Sequence, residues 1–297
     1  MNRVIEKKSA AIFIAVYFLF SSQMGAAQNS SHPSTLSLSP KQKAEFLLNR
    51  QQFDEALSAY QLLLRESGDD SYLFRGLVRA YEGSQRIKEA EAFIMDYLSS
   101  HPRSSAGQYG LGYYYYIQED DPKAQENFEK AILLNQKNAL AWNNLGASLS
   151  RTKSYTFAVE KVKRAIQLDP SNSMFYNNLS LIYRDMGETG LFFADYREYV
   201  RDGPKLVAQG YGRVIAKTLR QAAFKYFSEG NFDGTIKKFS EASEIYKEID
   251  HQPGLVATYF GLGILYEENG DMAMAQKYFQ KVLLINPNHI QARQKVR

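Results

Sequence analysis

The sequence predicts an all-α protein, an α-solenoid of about seven helical hairpins. Two observations carry that expectation. Apolar residues recur at helical offsets of three and four, and the whole pattern returns after 34 residues. A third observation says how the chain must be held together: none of its 297 residues is cysteine, which leaves packing without disulfides or thiolate-bound metal. The composition, 44% hydrophobic and 23% charged, suits such a chain.

Residues 1–27 stand apart from the pattern. Arg3, Lys7 and Lys8 precede the apolar run "AAIFIAVYFLF" at Ala10 to Phe20, and "GAA" at Gly25 to Ala27 supplies the small residues of a cleavage site. The layout is that of a secretory signal, with an uncleaved inner-membrane anchor as the alternative. An exported chain without cysteine fits a bacterial periplasm. Residues 28–40, "QNSSHPSTLSLSP", read as a flexible leader.

Five units follow over 41–203, starting near Ser37, Ser71, Ser105, Ala139 and Ser173. The clearest holds Trp142, Leu145, Gly146 and Leu149, then Ala158, Val162, Ala165 and Pro170. The preceding one holds Leu111, Gly112, Tyr115, Ala124, Phe128 and Ala131. Glycine lets the first helix of each pair approach the alanine of the second, large residues fill the wedge, and proline ends the second helix. The register breaks near 201–215, where "RDGPKLVAQGYGR" is either a hinge, given Gly203, Pro204, Gly210 and Gly212, or the start of a lengthened helix. Residues 204–215 separate the five units from two more at 216–297, carrying Ala223, Tyr226, Phe239 and Ala242, then Gly263, Tyr266, Ala275, Phe279 and Pro287. The tail "NHIQARQKVR" resembles an incomplete capping helix, which leaves a partner or a second copy of the chain to cover the final face.

These residues resemble the tetratricopeptide repeat (TPR) family, with its W-x2-L-G-x2-Y, A-x3-F and P signature. The resemblance implies a right-handed superhelix whose concave groove binds protein or peptide. In its register Tyr115 of "LGYYYYIQ" is a core residue. Tyr114 lies at the seam with the preceding unit, where Gly76 makes room. Tyr109, Tyr113 and Tyr116 face the groove as an aromatic stripe, ordinary repeat surface or a partner contact. Asn143 and Asn144, then Asn177 and Asn178, occupy groove positions one repeat apart. There they resemble two rungs of the asparagine ladder in O-linked N-acetylglucosamine transferase, although asparagine is common at that position throughout the family. Arg75, Arg79, Arg151 and Arg184 lie at or beside the groove and suit an acidic group. The Lys-then-Asn clamp of chaperone-binding members is replaced by Arg75 with Arg79, Tyr109 with Tyr113, and Asn143 with Ala147.

Other chemistry has little support. The net charge of +4 includes no basic run that would follow a phosphate backbone, so nucleic acid is not an expected partner. His32, His101, His251 and His289 read as leader or turn residues, with no second metal ligand at helical spacing. "EDDP" at Glu119 to Pro122 reads as a turn between helices. No cofactor, metal or catalytic role is expected. The expectation is a non-enzymatic scaffold or adaptor of a bacterial envelope. The alternatives are a regulatory subunit of an envelope polysaccharide or secretion machine, or a protein that self-assembles through its C-terminal repeat.

Overall fold

The computed structural model describes residues 38–296; the expected signal and most of the leader lie outside them. Fifteen helices are present among the described residues. In order they are α1 (Pro40–Asn49), α2 (Phe53–Ser67), α3 (Ser71–Gly83), α4 (Ile87–Ser100), α5 (Ser105–Ile117), α6 (Asp121–Leu134), α7 (Ala139–Arg151) and α8 (Tyr155–Leu168). They continue with α9 (Ser173–Asp185), α10 (Thr189–Asp202), α11 (Lys205–Ser228), α12 (Phe232–Glu248), α13 (Gln252–Glu268), α14 (Met272–Ile285) and α15 (Ile290–Lys295). Consecutive pairs form seven hairpins, and α15 follows the seventh.

Local signals repeat with the hairpin. Asp70, Ser104, Asn138 and Asn172 recur every 34 residues, and the side chain of each accepts a backbone N–H in the first turn of α3, α5, α7 or α9. The turn inside each of the first five hairpins uses one left-handed residue, again every 34 residues: Gln51, Gln85, Glu119, Lys153 and Gly187, with φ from 59° to 84°. Only the last is a glycine.

The chain divides into two compact units, the division falling between Asp195 and Tyr196, within α10. In the first, a Cβ on Gly146 would lie 2.5 Å from Val162 Cγ2 and 2.9 Å from the Ala158 carbonyl, so glycine is what lets α7 and α8 touch. The nearest group to Gly76 is the Tyr60 ring, 2.2 Å from such a Cβ, where the repeat register suggests Tyr114. Tyr114 is buried. Tyr115 is only half-buried, contrary to its core assignment, because its hydroxyl reaches out to donate to Glu91 Oε1 at 2.7 Å. That bond, with burial behind it, pushes the Tyr115 pKa up to about 12.

The helix N-termini of this unit are drawn together across several hairpins. Asn138 Nδ2 donates to both Ser71 Oγ and Ser105 Oγ at 2.9 Å. Tyr72 Oη accepts from Asn172 Nδ2 at 2.8 Å and donates to Asp169 Oδ2 at 3.3 Å, joining the second hairpin to the fifth. These bonds form a clasp.

In the second unit the register break is helical: α11 runs unbroken for 24 residues from its N-cap, Pro204. Residues 205–215 are thus helical, while Gly203 and Pro204, which the sequence offered as part of a hinge, lie between α10 and α11. Gly212 lets α11 approach Ile249, whose Cγ2 would meet an added Cβ at 2.6 Å. His289, expected at a surface turn, is buried, with its ring 4.9 Å from Phe260 and its Nδ1 capping α15.

Candidate partner-binding groove

Helix α5 carries the aromatic stripe. Offsets of four and three align Tyr109, Tyr113 and Tyr116 on one face. Their rings stack in sequence, centroids 6.0 Å apart at 8° and then 6.3 Å apart at 17°. The stripe is not uniformly open. Tyr109 is fully buried, and burial drives its hydroxyl pKa well up; Tyr113 and Tyr116 are half-buried.

The asparagines are turned to internal use. Asn178 Nδ2 donates to Asn143 Oδ1 at 3.0 Å, Asn143 Nδ2 to Asn144 Oδ1 at 2.8 Å, and Asn144 Nδ2 to Tyr109 Oη at 3.4 Å. Asn143 is 0% exposed and Asn144 5%. Tyr109, Asn143 and Asn144 therefore leave the list of contact residues: neighbouring first helices stand so close that their groove positions satisfy one another. Asn177 stays partly open and donates to the Ser173 carbonyl at 2.7 Å.

Cations flank what remains. The Arg151 guanidinium lies 3.8 Å from the Tyr116 ring centroid, and its Nη2 sits 2.7 Å from Asp121 Oδ1 while also donating to the Tyr116 carbonyl at 2.8 Å. Arg75 lies 5.9 Å from the Tyr113 ring, with no carboxylate within 4 Å among the described residues. Arg79 is 3.3 Å from Glu45, which also accepts from the Tyr60 hydroxyl at 2.9 Å. Burial raises the Tyr113 pKa, and Arg75 and Arg79 oppose the rise, which places both cations near its hydroxyl. Arg184 pairs with its neighbour Asp185, well exposed, and among the described residues shares no bond with the stripe.

The open surface is thus Arg75, Arg79, Tyr113, Tyr116 and Arg151: ring edges and faces bracketed by guanidinium groups, one of them without a counterion. It can accept a carboxylate and stack against a planar or apolar group. The sequence pattern did not point to Glu45 and Asp121, which orient two of these arginines, because they come from a preceding hairpin and a second helix and lie outside the groove register.

Two tetratricopeptide repeat profiles match the sequence, at residues 109–173 and 214–286. Human protein O-mannosyl-transferase TMTC3 is 26% identical over 219 residues, which is 72% of this chain and 22% of that protein. The peroxisomal targeting signal receptor of Saccharomyces cerevisiae is 35% identical over 77 residues, 26% of this chain and 13% of the receptor. The chain thus spans less than a third of either relative. Among solved structures, the C-terminal part of a TPR repeat-containing protein from Cytophaga hutchinsonii aligns with a TM-score of 0.41 at 14% identity, covering 86% of this chain and 99% of that one.

Proposed function

Starting from a chain that belongs to the tetratricopeptide repeat family, an interaction scaffold by its fold, we propose that it holds an acidic segment of a partner protein against the Arg75–Tyr113–Tyr116–Arg151 surface. The observation that carries this reading is Arg75, whose guanidinium lies 5.9 Å from the Tyr113 ring centroid with no carboxylate within 4 Å among the described residues. A partner carboxylate would supply the missing charge, and the two tyrosines offer rigid contact area at low entropic cost. The role is a binding one, without catalysis. The internal use of Asn143 and Asn144 speaks against an asparagine ladder as the means of gripping a peptide backbone.

The test is capture from the native cell envelope with the full chain and with a variant carrying Arg75→Gln and Tyr116→Ala. A partner kept by the parent and lost by an equally helical variant supports the groove. The same set captured by both forms rejects it. The envelope setting rests on the cationic start and the apolar run Ala10 to Phe20. Sequencing the mature N-terminus checks it: Gln28 as the first residue marks export and cleavage, while retention of Met1 removes the signal reading.

A further inference from the structure

In the C-terminal unit, helix α11 carries two half-buried arginines, Arg213 and Arg220. Along α11, Gln209, Arg213 and Arg220 follow at offsets of four and seven and so share a face. Gln209 Nε2 donates to the Ile249 carbonyl at 3.0 Å, anchoring that face beside the turn between α12 and α13. One turn further on, Arg213 Nε is buried with no hydrogen-bond partner, and no carboxylate comes within 4 Å of its guanidinium among the described residues. Arg220 Nη1 donates to Tyr246 Oη at 3.5 Å.

His251 completes the group. Its Nδ1 accepts the Gly254 backbone N–H at 3.0 Å, so the neutral ring carries its proton on Nε2 and offers a donor. The ring stacks on Tyr246 with centroids 5.1 Å apart. The pKa of His251 is lowered first by burial and then by Arg213, with a smaller push from Arg220, so both guanidinium groups lie near the ring. The neighbouring acids are engaged elsewhere: Asp250 accepts from Gln252 and lies 3.6 Å from Lys205, and Glu248 accepts from Tyr196.

Partly burying a guanidinium without a counterion costs hydration that nothing returns, and the same setting strengthens its pull on an anion. We propose that Arg213, Arg220 and His251 form an anion site for a side-chain carboxylate of an acidic peptide. The site is built wholly within residues 196–296, and its assignment does not depend on the groove reading, since the two share no residue.

The full-length chain is titrated with fluorescein-labelled hexaglutamate at fixed salt, with hexalysine as the charge-reversed control. Binding of hexaglutamate weakened at least tenfold by Arg213→Gln, restored in part by Arg213→Lys, and unchanged in the exposed control Lys237→Gln supports the site. Proton NMR of His251 supplies a second readout: Arg213→Gln raises its pKa in the free protein, and bound hexaglutamate raises it in the parent. Equal affinity for parent and Arg213→Gln, or a His251 resonance unmoved at saturation, overturns the proposal. Loss of binding in Arg75→Gln alone overturns it too and assigns the peptide to the groove. Inorganic phosphate that displaces hexaglutamate at equal concentration makes the occupant a small free anion and rejects the peptide.

Discussion

Asn143 and Asn177 show how position within a repeat differs from role. They hold the same groove position one unit apart, yet one is sealed between helices and the other partly open. Removing the Asn143 amide leaves Asn178 without its acceptor and Asn144 without its donor in a water-poor setting, so Asn143→Ala costs about 1–3 kcal/mol. Asn177→Ala changes stability by less than about 0.5 kcal/mol. Urea unfolding of the two variants checks the contrast, and comparable losses would refute the burial of the asparagine chain. His289 adds a pH dependence. Burial lowers its pKa, so the folded state resists the proton that the unfolded state accepts near pH 6.5. Its contribution is therefore complete above that pH and declines as pH falls toward the lowered value. Replacing it with asparagine, which can still cap α15 but does not titrate there, should flatten this part of the melting curve between pH 7 and 5.

At the level of elements, the starts of the first helices in units two to five could be read from the sequence. Ser71, Ser105, Ala139 and Ser173 open α3, α5, α7 and α9, because caps and glycine contacts recur at fixed offsets. Curvature could not be read in the same way. It depends on how closely neighbouring first helices approach, which a pattern of residue types records only indirectly. That approach decides that Tyr109, Asn143 and Asn144 are inside while Tyr113 and Tyr116 remain partly accessible. The charged side chains that hold Arg79 and Arg151 escaped notice for a related reason: Glu45 and Asp121 lie on other helices. The left-handed turn residues give an element-scale prediction. Lys153 sits at φ 62°, a conformation that costs a residue with a Cβ roughly 1–2 kcal/mol, while glycine's extra unfolded-state freedom takes back about 0.5–1 kcal/mol. Lys153→Gly should stabilise the chain by up to about 1.5 kcal/mol, raising the urea midpoint at constant m-value. A lower midpoint would mean that the turn carries no strain.

At the largest scale each compact unit is mainly a run of neighbouring contacts, and the first adds bonds that skip hairpins, the Tyr72 hydroxyl's reaching beyond that of Asn138 to Ser71. The Tyr72 hydroxyl bonds residues 97 and 100 positions away. Tyr72→Phe keeps the ring and removes both bonds, so backbone amides near Leu73 and Phe175 should exchange faster together, with the intervening helices little changed. Acceleration at one end alone would show that the two ends are not coupled. The contact also bears on how the chain assembles. A stack of hairpins can fold by short-range steps from any starting point, in whatever order heat and chance allow. A bond spanning about a hundred residues cannot form until the hairpins between are in place, because closing so long a loop early costs entropy that nothing yet returns. It is a late event on the folding route and a mark of its completion, and it ties the fate of the second hairpin to that of the fifth.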